Sequence, residues 1–474
     1  MTEIRETDVF ISGGEPTGLL TAYALARQGV DTLLVEQHDK AEQAMYGRAT
    51  TLHPHDLNQI GYVARDSVTY RDGKRVTARG WEIMYQHMRG TFLDYCLNIR
   101  QKYSEEVIRD AYVSLGGEPY IGWRLDGFDV SSGRSLTVRS KFIVGADGSH
   151  SLVRRLAGIL FEDDHTNFRW VRIDGRFKTD MPDADIGFAS IESKSHGNVL
   201  WVRLDHGVKR IGFAMTQELL ANYGDKLTLE DAKVEAVKSM EPFSFEFETI
   251  DWWTLYGINQ RVAECFYNND RKLGGIVKGW YSIDVLRSYD TERRAVAQYL
   301  INLDKDFSAT ISGTVPDRYK HLSLSSNELF SKVFDDTIDF CIGLGIHYDE
   351  SVINKRPLAT AISAGWRAPD ALIYAPGSRL PIRLLHLMPN VGTWSILLLA
   401  GHPEKARHSL SHAVETSSAH AAYTVSDSNG AVVIVRPDGI LGYATQLDEA
   451  SSVREYFAGF ITTHRGYMDN MLSS

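Results

Sequence analysis

The stretch from Asp8 to Gln37, DVFISGGEPTGLLTAYALARQGVDTLLVEQ, restricts the fold of this chain more than any other. Val9, Phe10 and Ile11 form a short apolar run that stops at Gly13 and Gly14. Leu19, Leu20, Tyr23, Ala24 and Ala26 then recur at helical spacing up to a stop at Gly29. Thr32 to Val35 is a second buried strand, and it ends in Glu36. Strand, tight turn, helix and strand is the order of a dinucleotide-binding unit. The N-terminus of the Pro16 to Gln28 helix offers free backbone N–H groups to a pyrophosphate, and an acidic residue at the position of Glu36 holds ribose hydroxyls.

One letter departs from that pattern. With Gly13 and Gly18 as the outer glycines of G-x-G-x-x-G, the middle position is Glu15. A glycine there lets backbone approach the pyrophosphate. A carboxylate about 4 Å from a phosphate charge costs on the order of 4 kcal/mol at an effective dielectric near 20, roughly three decades of affinity. An ordinary βαβ unit without a nucleotide is therefore the competing reading of the glycine motif alone.

The 474 residues suffice for roughly three domains at about 150 residues each. With 43% hydrophobic and 24% charged residues the chain is of ordinary globular composition. No apolar run reaches the roughly 18 residues of a membrane span; the longest candidate, Trp394 to Ala400, reads as a core strand. The charged start MTEIRETDVF leads straight into the first strand, which predicts a cytoplasmic protein without a secretory segment. Net charge of −10 and the lack of a Lys/Arg cluster argue against nucleic acid as a partner. Cys96, Cys265 and Cys341 lie far apart with no C-x-x-C pair, so free thiols are expected and no metal site. There is no G-x-S-x-G elbow, H-E-x-x-H or P-loop, and the His347 to Glu350 cluster reads as a solvated loop.

Along the chain, Arg48 sits in a loop, by itself a surface residue. Thr69 to Val76 carries a hairpin turned at Asp72-Gly73. Phe92 to Gln101 has helical apolar spacing and runs into a further helix. SKFIVG, Ser140 to Gly145, is a buried strand closed by the Ala146-Asp147-Gly148-Ser149 turn, where an open α/β sheet presents a polar group to a ligand. From Phe168 to Tyr256 apolar and polar residues alternate between short turns, an antiparallel sheet with one face on a core; Thr228 to Met240 is an inserted helix. Helical segments Ile283 to Tyr289 and Arg293 to Leu303 follow. Strands Ser395 to Ala400, Ala431 to Val435 and Ile440 to Thr445 and a closing helix from Ala450 make a third unit.

With those residues in place the chain resembles the flavin-dependent aromatic hydroxylases, specifically the fungal phenol 2-monooxygenase branch. The similarity runs over nearly the whole length. It rests on GGEPTGLLTAYALARQG, GRATTLHP, IRQKYSE, VGADGSHSLVRRLAGI, LYGINQRVAE, LRSYDTERRAVAQ and RPDGILGY, in that order. The resemblance implies an α/β fold: a Rossmann-like FAD-binding domain at 1–165 completed by 265–310, an antiparallel β-sheet substrate domain at 166–264, and a thioredoxin-like C-terminal domain at 379–474. It also implies FAD as cofactor, NAD(P)H as co-substrate, a small aromatic substrate and a homodimer. Gly13, Gly14 and Gly18 would form the phosphate turn and Glu36 would hold the adenosine ribose. Arg48 and Gln101 would lie along the FAD, Asp147 and Gly148 match the family's DG motif, and Tyr256 matches a substrate-pocket tyrosine that hydrogen-bonds the phenol. Without the resemblance, Tyr256 reads as a core aromatic at a strand end. The C-terminal unit has no cysteine and so runs no thiol chemistry.

Two departures qualify the resemblance. Glu15 is the first. After Glu264 the family continues into a strand, a G-D-A-A-H-like motif and a helix; here Asn269-Asp270-Arg271 is followed at once by Lys272 to Gly279, which resembles only the tail of that helix. Three readings stay open: a FAD-dependent hydroxylase whose recorded sequence lacks a stretch, a flavin-free descendant with a non-redox or binding role, and an inactive truncated product.

Overall fold

The computed structural model describes residues 4–38, 51–52, 60–76, 81–92, 94–127, 136–267, 276–355, 364–374, 377–388, 392–399, 422–423, 430–449 and 451–462. The chain opens with β1 (Ile4–Ser12), α1 (Pro16–Arg27) and β2 (Thr32–Glu36). Short strands β3 (Thr51–Leu52), β4 (Tyr62–Ala64), β5 (Asp66–Arg71) and β6 (Lys74–Val76) precede α2 (Trp81–Met88) and β7 (Cys96–Asn98). Next come α3 (Gln101–Ser114), β8 (Pro119–Ile121), β9 (Thr137–Gly145) and α4 (Leu152–Leu156). Strands β10 (Phe161–Thr179), β11 (Gly187–Ser193), β12 (Gly197–Arg203) and β13 (Lys209–Ala214) are followed by α5 (Gln217–Tyr223), α6 (Leu229–Ser239) and β14 (Phe245–Ala263). The remainder carries α7 (Asp284–Ile311), α8 (Ser326–Cys341), β15 (Leu372–Tyr374), β16 (Pro381–Arg383), β17 (Ser395–Leu399), β18 (Ala431–Val435), β19 (Leu441–Thr445) and α9 (Ser451–Ala458).

The first unit is a parallel sheet in the order β8-β2-β1-β9. Its two central strands, β1 and β2, are apolar on both faces, one covered by α1 and α3 and the other by Tyr120, Trp123 and Leu125. Val9, Ile11 and Leu34 are fully buried against Leu19, Ala22 and Leu25 of α1 and Tyr112 of α3, each such side chain contributing roughly 1.5–3 kcal/mol. Leu20, expected on the core face of α1, is 51% exposed; Leu19, Ala22 and Leu25 set that face instead. Among the described residues β9 is one of the two outer strands, and its Ile143 is exposed. The junction at Arg271 and Lys272 lies outside the described residues.

The second unit is a seven-stranded sheet, β14-β10-β13-β12-β11-β5-β6. The expected alternation holds: Val171, Ile173, Trp201, Ile211 and Phe213 form one apolar face, closed by α5, α6 and Phe245. α6 starts in a capping box, Thr228 with Asp231. The Thr69 to Val76 hairpin is present with its Asp72-Gly73 turn, and it joins this sheet, β5 running parallel to β11 with Asp66 opposite Gly187.

Within the stretch Phe92 to Gln101, residues 94–100 are not helical. They contribute β7, paired with β3 and β4, and helix begins only at Gln101. Cys96, Leu97, Asn98 and Ile99 are all buried, and a strand buried on both faces has no alternation to distinguish it from a helix. The two helical segments expected between Ile283 and Leu303 are one helix, α7. In the last unit β17, β18 and β19 form an antiparallel sheet on which α9 packs through Tyr456 against Tyr443. The three cysteines are free.

Candidate functional site

The turn between β1 and α1 is built by close backbone approach. Gly13 N–H donates to Val35 O at 2.9 Å, and Ala146 N–H donates to Ser12 O at 2.8 Å, so the turn is tied to both neighbouring strands. Gly13 has φ +106°, and a Cβ there would stand 2.2 Å from the Ala146 carbonyl oxygen. A Cβ on Gly18 would stand 1.9 Å from Gly13 O, so α1 presses directly on the turn. Gly18→Ala is expected to destabilise the chain by about 1–3 kcal/mol through overpacking of backbone against backbone. A urea midpoint equal to that of the wild type would show that α1 can shift instead.

Glu36 closes β2 and is only 5% exposed. Its Oε2 accepts from Gly14 N–H at 2.6 Å and its Oε1 from His38 N–H at 2.9 Å. The carboxylate is thus aimed by the backbone of the turn, with capacity for further hydrogen bonds on each oxygen. Glu15 is the N-cap of α1, in extended conformation and exposed, and its side chain makes no capping hydrogen bond. The turn, Glu36 and Asp147 enclose a cleft of about 390 Å³ whose wall also includes Glu15, Trp123 and Arg155.

Asp147 does more than make a turn. Its Oδ2 accepts from the Leu152 and Val153 N–H groups at 2.7 and 3.2 Å, and its Oδ1 accepts from Ser151 Oγ at 2.5 Å. The carboxylate thereby locks the start of α4 against the end of β9, and Gly148 at φ +75° turns the chain out of the cleft. Sequence reasoning weighed a ligand group against a plain turn; the aspartate is also a helix cap.

The site residues named from the sequence fall into two groups. Gly13, Glu36, Asp147 and Gly148 line one cleft, with Gly14 and Gly18 shaping it from behind. Gln101 and Tyr256 are not part of that wall. Gln101 begins α3 and its Nε2 donates to Glu105 Oε1 at 2.6 Å. Tyr256 lies on β14 opposite Trp170, with the Arg172 guanidinium 5.0 Å from its ring centroid. Half-buried and beside a cation, it is not the plain core aromatic of the residue-only reading. Arg48 lies outside the described residues.

Sequence reasoning missed Arg100. Buried at the N-cap of α3, it donates through N–H and Nε to Asp205 at 2.6 and 2.8 Å and through a terminal nitrogen to Asp251 at 3.2 Å. Burial presses the guanidinium downward, and the Asp205 carboxylate more than restores it. The link fixes α3 to the seven-stranded sheet of the second unit. No local pattern could have revealed it, because its partners stand 105 and 151 positions away.

What fits this cleft is the adenosine diphosphate end of a dinucleotide. The glycine cradle would be filled by any Cβ, Glu36 is positioned for vicinal hydroxyls, and α1 presents its N-terminus. Glu15 is the single misfit. The class so defined is a dinucleotide-binding α/β protein carrying a second, mostly antiparallel sheet.

Comparison with known proteins narrows it. The chain belongs to the FAD-dependent aromatic hydroxylases: residues 6–273 match the FAD binding domain and residues 408–465 the phenol hydroxylase C-terminal dimerisation domain. Phenol 2-monooxygenase fsqG of Aspergillus fumigatus is 27% identical over 57% of this chain and 51% of its own length. A FAD-dependent monooxygenase of Aspergillus terreus is 22% identical, covering 96% of this chain and 85% of its own. The flavin-dependent monooxygenase PieE, solved with FAD and substrate, superposes with a TM-score of 0.69 over 96% of this chain and 98% of its own, at 17% identity. The chain thus spans about half the length of one of these curated relatives and most of the other. The Aspergillus terreus alignment runs over 607 positions against 474 residues here, so that relative carries internal segments with no counterpart in this chain.

Proposed function

We propose that this chain is a FAD-dependent monooxygenase that hydroxylates a small phenolic or polyketide-derived aromatic, using NAD(P)H and O₂. The observation that carries the proposal is the cleft in which Gly13, Glu36 and Asp147 converge beside an α-helix N-terminus. When bound, the flavin supplies electron transfer and oxygen activation. The chain's own residues bind and orient. Gly13, Gly14 and Gly18 admit the pyrophosphate, Glu36 holds the adenosine ribose, Arg48 and Gln101 lie along the cofactor, and Asp147 with Gly148 shapes the cleft wall. Tyr256 accepts the proton of the substrate phenol in a hydrogen bond, which raises electron density on the ring. The flavin domain comprises 1–165 and 265–310, the substrate domain 166–264 and the C-terminal domain 379–474.

The dimerisation-domain match supports a homodimer. No helix among the described residues is long and apolar enough to cross a membrane, and the cytoplasm is the compartment we assign. The test is the visible spectrum of the chain purified with added FAD. Flavin absorbance with one equivalent released on denaturation, followed by phenol-dependent NADPH consumption, is the expected result. A colourless protein that melts cooperatively would sink the hydroxylase reading.

A further inference from the structure

A dinucleotide brings two phosphate charges to the turn between β1 and α1, and the groups placed to meet them there are out of balance. The α1 N-terminus offers the equivalent of roughly half a positive charge. Glu15, at its N-cap and on the wall of the cleft, opposes that with a full negative one. Without a further cation the diphosphate meets net negative charge.

Subtraction leaves one cation on the wall. Of the carboxylates and guanidinium groups that line the cleft, Glu36 is held by the N–H groups of Gly14 and His38. Asp147 is held by Ser151 and the first N–H groups of α4, and Asp126 stands 3.5 Å from Arg124. Glu15 and Arg155 remain. Both are exposed, and neither side chain has a hydrogen bond or ion pair among the described residues.

Exposed arginines are common, so placement has to carry the argument. Arg155 belongs to the last turn of α4, a helix whose start is locked by Asp147 to the end of β9. The end of β9 is in turn tied to the glycine turn by Ala146 N–H donating to Ser12 O. The root of Arg155 is therefore set with respect to Gly13. Arg154, one position earlier and about 100° around the helix, is directed elsewhere. It donates to Ser149 O at 3.0 Å, and its guanidinium lies 4.2 Å from the centroid of the Phe161 ring. Of two consecutive arginines, one is tied to the protein, and the one that lines the cleft is left unpaired.

We propose that Arg155 is the counter-charge of this cleft: its guanidinium binds the diphosphate of the dinucleotide and offsets Glu15. The proposal rests on the reading of the cleft as a dinucleotide site and adds the residue that reconciles it with the altered glycine motif. A planar fork of N–H donors takes phosphate oxygens two at a time. The chemistry it selects is an adenosine that carries a diphosphate; adenosine alone gains nothing from Arg155.

The experiment is a calorimetric titration of the chain, purified without added flavin, with ADP and with adenosine, which share base and ribose and differ in the diphosphate. The wild type is expected to bind ADP more tightly. Arg155→Gln is expected to weaken ADP by about fivefold to fiftyfold, between an exposed ion pair and a charge-assisted hydrogen bond, and to leave adenosine unchanged. Arg155→Lys is expected to keep part of the ADP affinity, because charge survives without the fork. Equal binding of ADP and adenosine by the wild type, unchanged ADP binding in Arg155→Gln, or an equal loss for both ligands overturns the proposal. Binding of neither ligand by the wild type also overturns it. If Arg155→Gln does not melt cooperatively, Arg155→Lys decides: a reduced preference for ADP supports, an unchanged one overturns. A chain that prefers ADP through Arg155 yet takes up no FAD keeps this proposal and loses the hydroxylase reading. One that takes up FAD while its ADP binding ignores Arg155 does the reverse.

Discussion

Replacing Glu15 with glycine is expected to tighten FAD binding by about fivefold to a thousandfold, read as the dissociation constant in a flavin-fluorescence titration. The size follows from charge and position. Glu15 stands at the N-cap of α1 on the wall of the cleft, where the pyrophosphate of a dinucleotide meets the helix. Two like charges about 4 Å apart repel by roughly 1 kcal/mol in bulk water and about 4 kcal/mol at an effective dielectric near 20. Because Glu15 is exposed, the true value falls between these limits, which is the span of affinities given. Nothing is lost in exchange, since the carboxylate makes no capping hydrogen bond and glycine is itself an accepted N-cap residue. Glu15→Gln removes the charge while keeping the bulk and is expected to recover only part of the gain. The difference between wild type and variant is expected to shrink in 1 M salt, where the screening length is about 3 Å. Identical dissociation constants for wild type and Glu15→Gly would place the carboxylate clear of the bound phosphates and remove the one objection to this glycine motif.

Loss of Arg436 is expected to produce the largest stability change, about 3–5 kcal/mol. Arg436 follows β18 and is buried. Its terminal nitrogens donate to both oxygens of Glu292 at 2.9 Å and to Asn354 Oδ1 and Asp438 Oδ2 at 2.7 Å. Glu292 belongs to α7 and is buried as well, so the group joins the C-terminal sheet to the long helix that runs beside β14. Burial presses the guanidinium downward, but Asp438 and Glu292 hold it above its ordinary range. In Arg436→Met the Glu292 carboxylate remains buried and keeps the amide of Asn354 and the hydroxyl of Ser351 as hydrogen-bond donors. The measurement is the urea midpoint with its slope. Arg436→Met combined with Glu292→Leu is expected to recover most of the loss, because replacing both charges by apolar groups removes the stranded ion. A double variant as unstable as the single one would mean that packing around α7, not the charge, sets the effect.

How much of this was visible in the sequence depended on the range of the interaction. The βαβ unit was legible because turn, helix and strand follow within thirty residues, and the antiparallel sheet because alternation is local. The β7 strand was not, since Cys96 to Ile99 are buried on both faces and carry no period. Leu20 was placed inward although it lies one position past the inward stripe of Leu19, Ala22 and Leu25. In the site, Gly13, Gly18 and Glu36 could be named from spacing. Asp147 could be named from its place after a strand, but its capping of α4 depends on a loop geometry that spacing does not determine. Tyr256 came from family resemblance, and Arg172 beside it went unremarked because its meaning depends on which strands lie next to each other. The Arg100 and Arg436 groups join residues more than a hundred positions apart, and no pattern within a single element points to them.

The parallel pairing of β5 with β11 bears on how the chain comes to be assembled. Arg71 Nε donates to Glu192 Oε2 at 2.6 Å across 121 positions, and the same strand pair carries six residues in register. During synthesis β5 leaves the ribosome long before its neighbour exists. In that interval the edge of β5 that β11 will take is an unpaired template, while β6 covers only the opposite edge. The seven-stranded sheet is thus completed around a strand made well before most of it. A gene fragment beginning after the flavin unit would encode a sheet lacking that first-made border.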